Sequence, residues 1–554
     1  MTSREKDIDR RLENLSSIPM GPRGAVWPFE ALIKRLKNRP DQERIAADYL
    51  SLPESTSSDQ VGLKVLQVLE SLRAPEVSRQ LLRTAPIGPL KRPVWKPSET
   101  PINHRVLSPV HGPTNREAVR DFRSGPIPDR PLIQGKVPVF EQDIVHGEVE
   151  GTAVLPLDRA LALHLGFVGN DLVIALDGNL GRFVYGNKFK ETGKVHSSAF
   201  RDYGYNHAVL EPGDLIFGPV LRVGVRREIL QLTEDLHNYV ERVRGCPSPN
   251  VFRKMMRRLE ALLAYNKISK AIRHWIGLRD WSLDEVCLVI APDEALYLLP
   301  LGFLGMGRGD PLILQFGGIS YALSLMALKW SIKDYHWTVL PNLGTEARCS
   351  FFGAGGLEPA QRLDIGAEAE ALNRNFGTGN IRLPNGMSSV TSFRKRYSMG
   401  DICWFSGHGL WDGRRAIVVE GESIPFPRSG PVFADGVLTN LDLVTTSDWN
   451  FKGLWLTVMN SCLLGRSLLV GPNPLGFLSA LHSVGSISSI AALWPVLDRV
   501  AIRFAEELSR QIVANYHRTD FPRARCLSNA IREMSRKDID MLCYLAPYGL
   551  WGVP

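Results

Sequence analysis

A chain of 554 residues exceeds one ordinary hydrophobic core, so two or three domains are the starting expectation. With 44% apolar and 22% charged residues and a net charge of +8, it reads as globular, with a mildly basic surface rather than a nucleic-acid footprint. No apolar run approaches the roughly 18 residues of a spanning helix, and Met1 to Asp7 lacks the apolar core of a signal peptide, so a cytoplasmic location without membrane contact is expected. Seven cysteines scattered from Cys246 to Cys543 form no C-x-x-C pair, which argues against a disulfide framework or a zinc ribbon.

Residues 1–85 read as helices. Pro28 opens Phe29 to Leu36, Glu43 to Leu50 comes next, and Leu63, Leu66, Leu69 and Leu72 recur at helical spacing. No 34-residue tetratricopeptide period is present. From Pro86 to Pro138 eleven prolines interrupt every pattern, as in an extended connector.

Residues 139–225 read as a small β-rich domain. Asp171–Leu176, Arg182–Tyr185 and Asp214–Phe217 are short β-prone runs separated by Asp-Gly, Asn-Leu-Gly and Pro-Gly-Asp turn chemistry, which favours hairpins. His146, His164, His196 and His207 show no ligand spacing, so no metal and no cofactor is expected. Two amphipathic helices form a lead-in over 226–279. Ile229, Leu232, Leu236, Tyr239 and Val243 line one; Phe252, Met255, Leu259, Leu262 and Ile268 line the other. The second carries Arg253, Lys254, Arg257, Arg258, Lys267, Lys270 and Arg273, which read as a solvated face.

The rest of the chain alternates strand and helix, as a mostly parallel sheet requires. Apolar strands are predicted at Val286–Ala291, Ser350–Ala354, Asp401–Ser406, Leu454–Met459 and Ile487–Ala492. Helices are predicted at Ile365–Asn373, Gly476–His482, Asp498–Ala514 and Arg523–Arg536. Phe352-Gly-Ala-Gly-Gly356 lacks a complete G-x-G-x-x-G and a Walker lysine, which argues against a nucleotide loop.

Two of these strands end on chemically capable residues. Asp401–Ser406 runs into Gly407-His408-Gly409, and Leu454–Met459 into Asn460-Ser461-Cys462. Side chains at the carboxyl ends of parallel strands face the crevice where such sheets bind ligands, so His408 and Cys462 are placed to meet. A thiol is mostly protonated near neutral pH, and a nearby imidazole both poises it and protonates a leaving amine. Gly409 lets its backbone N–H approach a substrate carbonyl, and the N–H of Cys462 is a second oxyanion donor. Cys462 comes 54 residues after His408, against the roughly 50 of caspase-type peptidases. Taken alone, a cysteine is more often a core residue, and Cys403 inside the strand reads that way.

The segment resembles a CHAT domain, the caspase-like domain of the separase, caspase, gingipain and metacaspase clan. The motifs that carry the likeness are Ala291–Pro300 with Ile319–Ser324, Gly366-Ala-Glu-Ala-Glu370, Phe405–Gly409, Asn460-Ser-Cys462, Ala492–Asp498 and Leu545–Gly552. The resemblance implies an α/β class, with a caspase-like mostly parallel sheet over 226–554, preceded by the small helical and β-rich regions. It implies a cysteine endopeptidase acting on a protein substrate through His408 and Cys462. It also places two substrate-binding candidates: Asn460, where relatives that cut after Arg or Lys commonly carry an acid, and Asp498, where separase-like relatives place the carboxylate that receives the P1 arginine. As a rival role, Asp498 reads as an N-cap of its helix.

A minimal caspase-like core has no counterpart of the first 225 residues, so these are expected to sense a regulatory protein partner or to hold the site closed. Relatives in bacterial defence or cell-death systems suggest that setting. Two other classes compete. A catalytically silent scaffold for protein recognition has no need of His408 and Cys462, and a nucleic-acid-binding protein rests only on the basic balance and would bind with steep salt dependence.

Overall fold

The computed structural model describes residues 26–27, 159–177 and 215–554, short interruptions apart. The expected helices of 1–85, the proline-rich stretch 86–138 and the expected strand Arg182–Tyr185 lie outside the described residues, Val26–Trp27 excepted.

The core is a twelve-stranded sheet. Its strands are β1 (Val26–Trp27), β2 (Ala160–Val168), β3 (Asp171–Asp177), β4 (Leu215–Arg222), β5 (Cys287–Ala291) and β6 (Gly318–Tyr321). Then come β7 (Cys349–Ala354), β8 (Ile381–Arg382), β9 (Ile402–Gly407), β10 (Leu456–Ser461), β11 (Ser488–Ala492) and β12 (Tyr548–Gly552). Their order across the sheet is β1-β4-β3-β2-β5-β6-β12-β11-β10-β9-β7-β8. One run, β11-β10-β9-β7-β8, is parallel throughout. A second, β2-β5-β6-β12, is also parallel, and β12 pairs antiparallel with β11, so the two runs point in opposite directions. Strands covered on both faces are largely apolar, and β5, β7, β9, β10 and β11 are buried at every residue.

The helices used below are α1 (Arg226–Arg242), α2 (Pro249–Leu262), α3 (Tyr265–Leu278), α4 (Ile365–Phe376), α5 (Val390–Arg396), α6 (Phe477–Ser483), α7 (Asp498–Asn515) and α8 (Pro522–Ser535). Local chemistry sets their limits. Asp364 caps α4 by accepting the Ala367 N–H at 3.0 Å, Gly377 ends it at φ 79°, and prolines open α2 and α8. α4 lies over β7 and β9 and packs against α7, which in turn packs against α8. The second lead-in helix of the sequence reading is two helices, because the chain turns at Ala264, which adopts φ 50°.

The β-rich segment is not a domain of its own in its described part. β2 pairs in parallel with β5 from Ala160 opposite Cys287 to His164 opposite Ala291, and β3 and β4 extend the same sheet antiparallel. The reason is burial: Ala160 through Leu163 and Leu165 are all solvent-inaccessible, which a free-standing hairpin cannot provide. A boundary at residue 226 therefore cuts through one sheet. Strand β2 has no counterpart in the sequence reading.

Candidate active site

Strands β9 and β10 run parallel in continuous register, from Ile402 opposite Leu456 to Gly407 opposite Ser461. β10 starts and ends two residues later than its apolar run suggests, so Asn460 and Ser461 lie within the strand. His408 and Cys462 are then the next residue on each of two neighbouring parallel strands, which are about 4.8 Å apart. Both leave the sheet at the carboxyl ends.

The chain segments beyond the two strand ends fix these residues. Gly409 opens a short strand, Gly409–Asp412, paired antiparallel with Arg428–Phe433, and Val432 donates its N–H to the His408 carbonyl at 2.9 Å. A Cβ on Gly409 would collide with the Cys462 carbonyl oxygen and crowd the Ser461 hydroxyl. Only glycine lets the two chain segments come this close. Beyond Cys462 the chain turns at once: Leu463 adopts φ 66°, and Gly465 donates to the Ala492 carbonyl at 2.9 Å. A left-handed leucine costs of order 1 kcal/mol or more, so the surrounding structure holds this turn.

The Cys462 thiol reaches the loop after β11. The backbone N–H of Val496 donates to its Sγ at 3.3 Å. Burial pushes the thiol above its ordinary value; the Val496 N–H opposes this, and the charge of Asp498 adds to it. That loop is braced from the lead-in, where Gly245, at φ 73°, lets the α1–α2 turn touch the Pro495 carbonyl, and the turn after Cys462 is braced by Arg466, which pairs with Glu241 of α1.

Asp498 is the first residue of α7, and its side chain makes no cap for that helix. The cap role weighed from sequence is thus absent. Its Oδ2 accepts the Asp364 N–H at 3.3 Å. Burial raises its carboxyl, Asp364's charge adds to the rise, and His408's charge opposes it, which places Asp498 within electrostatic range of both His408 and Cys462. Among the described residues no lysine or arginine pairs with it.

Asn460 is held inside the protein rather than open to a substrate. It is 5% exposed, and its Nδ2 donates to Glu368 Oε1 at 2.8 Å and to the Ala501 carbonyl at 3.3 Å, while its Oδ1 accepts from the Tyr548 hydroxyl at 2.7 Å. The amide is fully engaged inside the protein. Glu368 Oε1 also accepts from Trp404 Nε1 at 3.0 Å and from the Ser406 hydroxyl. One carboxyl of α4 thus ties β9, two residues before His408, to β10, two residues before Cys462. Burial pushes it up to about 7, with the Ser406, Asn460 and Trp404 bonds opposing.

Sequence reasoning missed Glu368, Val496 and Leu463. Glu368 did leave a signal: it shares the buried stripe of α4 with Ile365, Ala369, Leu372 and Phe376, where an acid is out of place unless bonded. Among the described residues no group of three or more His, Cys, Asp or Glu is placed to hold a metal ion.

Comparison with known proteins returns one family model, "CHAT domain", matching residues 256–548. No curated protein matches significantly. Among solved structures, a Saccharomyces cerevisiae separase–securin complex aligns at 15% identity over 49% of this chain and 16% of that one, with a TM-score of 0.32. The Arg-specific cysteine proteinase gingipain R aligns at 15% identity over 51% of this chain and 67% of that one, with a TM-score of 0.34. This chain therefore spans about a sixth of the separase chain. With the family's pattern running through more than half of its residues, from α2 to the start of β12 and across both His408 and Cys462, the chain belongs to the CHAT domain family.

Proposed function

We propose that the chain is a cysteine endopeptidase in which Cys462 is the nucleophile and His408 the general base and acid. The observation that carries this reading is the register of β9 and β10, which puts the two residues at equivalent positions just past neighbouring strand ends. In this mechanism His408 takes the thiol proton as Sγ attacks the peptide carbonyl, and the backbone N–H groups of Gly409 and Cys462 receive the oxyanion. Collapse of the tetrahedral intermediate breaks the C–N bond, with His408 returning the proton to the leaving amine. Water then hydrolyses the thioester and frees the thiol.

The resting thiol is neutral in this scheme, because burial holds its proton on, so thiolate forms only as His408 accepts the proton. Asp498 is the proposed acid for a basic P1 side chain: it is half-buried, within range of the dyad and unpaired with lysine or arginine among the described residues. The segment before residue 159 is proposed to restrain cleavage until a protein partner engages it. Because β2–β4 belong to the main sheet, the chain that tests this restraint begins at residue 159, not 226; activity no higher than that of the whole chain would defeat it.

The direct test of the dyad is Cys462→Ala and His408→Ala in the whole chain, with folding checked by circular dichroism. Cleavage of a peptide library, or of host proteins trapped by the Cys462→Ala variant, should fall by at least about a thousandfold in either. Undiminished cleavage in either variant refutes the assignment.

A further inference from the structure

A second concavity lies on the other side of β7 from β9, between β7, β8 and α5. It encloses about 330 Å³, at the lower end of the range of small-molecule sites, and its walls include Ser350, Arg382, Met387 and Arg396 but no carboxylate. None of its lining residues belongs to the proposed dyad or to its substrate contacts.

Its polar groups are undersatisfied in one consistent way. The Arg382 guanidinium contacts only the Met399 thioether sulfur, at 2.8 Å, among the described residues, and Arg396 has no ion pair there. A thioether is a poor acceptor for a five-donor cation. Both arginines line the one cavity, and burial and, after it, the neighbouring charge of Arg396 lower the Arg382 guanidinium from its ordinary value; among the described residues no carboxylate pairs with either. The Ser350 hydroxyl, 1% exposed, lies in the same wall without a hydrogen-bond partner. Buried hydroxyls and converging guanidiniums are ordinarily satisfied, and here all three lack the same thing, an acceptor carrying negative charge.

We propose that this cavity is a binding site for a small phosphoryl-bearing anion, clamped by Arg382 and Arg396 with the Ser350 hydroxyl as a further donor. A phosphoryl group carries close to two negative charges and three acceptor oxygens, which matches two guanidiniums and a hydroxyl arriving from a strand, a neighbouring strand and a helix. A single carboxylate is satisfied by one arginine fork. The exposed Met387 at the rim gives the remainder of the ligand an apolar contact.

The test is calorimetric titration of the whole chain with inorganic pyrophosphate, with citrate as a carboxylate polyanion of similar charge. Pyrophosphate is expected to bind saturably, to weaken as salt is raised, and to bind at least about tenfold more tightly than citrate. Arg382→Gln and Arg396→Gln should each lose tenfold or more in affinity and Ser350→Ala about threefold. Neither arginine pairs with a carboxylate among the described residues, so the variants should stay folded, and Arg382→Lys, which keeps the charge but not the fork, supplies an intermediate case. Absence of saturable pyrophosphate binding, binding untouched by both glutamine variants, or preference for citrate overturns the proposal. Cleavage activity plays no part in these readouts, so the result is independent of the fate of the dyad.

Discussion

The Cβ that Gly409 lacks would fall on the carbonyl oxygen of Cys462. Backbone is in contact with backbone at this point, so no side-chain adjustment can relieve the overlap, and Gly409→Ala must push the His408 and Cys462 segments apart. A displacement of about 1 Å at reacting groups costs on the order of a hundredfold in rate, and kcat/KM is expected to fall by at least that much. Gly379→Ala is the control, since a Cβ there meets nothing within 4 Å. Equal activity of the two variants would show that the strand ends are not held together as described.

The Cys462 thiol should titrate above an ordinary thiol. Burial raises it more than the Val496 N–H lowers it, so thiolate is scarce at neutral pH and accumulates only as pH climbs. In a Cys246→Ser background, which removes the exposed thiol, the rate of iodoacetamide labelling at Cys462 should rise with a midpoint above about 8.5. A midpoint at or below that value would refute the raised thiol, and one below about 7 would mean a preformed thiolate and would shift the proposed role of His408 from base to ion-pair partner.

Glu368 makes a stability prediction with a definite sign. Its carboxyl is pushed up to about 7, above the roughly 4.3 of an unfolded glutamate, so the native state favours the proton. The contribution is fully present below about pH 4.3 and is lost as pH rises through about 7. The groups coupled to it are Asp498, whose charge raises it, and the Tyr548 hydroxyl, itself driven up by burial. Glu368→Gln cannot ionise, so denaturant titrations should show wild type losing up to roughly 3 kcal/mol relative to this variant between pH 4.5 and 8. Parallel curves would refute the raised carboxyl. Glu368→Ala leaves the Trp404, Ser406 and Asn460 donors unpaired and should cost several kcal/mol at every pH.

Asp498→Asn separates specificity from stability. With no side-chain cap to lose, the helix should keep its stability within about 0.5 kcal/mol, whereas cleavage after Arg should drop at least tenfold with cleavage after Leu unchanged. A wild-type preference for apolar or small P1 residues would remove the pocket role.

Much of this protein was legible in the residues themselves. A short apolar, β-branched run such as Cys287–Ala291 reads as a strand buried on both faces, and Asp364, Gly377 and Pro522 mark helix ends by local chemistry that needs no distant partner. His408 and Cys462 stood out because each comes just after a strand with a glycine or small residue beside it. Pairing, in contrast, is a long-range choice. That Ala160–Val168 completes the main sheet against Cys287–Ala291, rather than closing a small domain, depends on which apolar surfaces are left to cover after the chain collapses. The same holds for the environment of the site: Glu368 meets Asn460 across 92 residues of sequence and Val496 meets Cys462 across 34. Spacing along the chain carries no trace of such meetings, because hydrogen-bond partners are selected by whichever polar groups burial brings together without water.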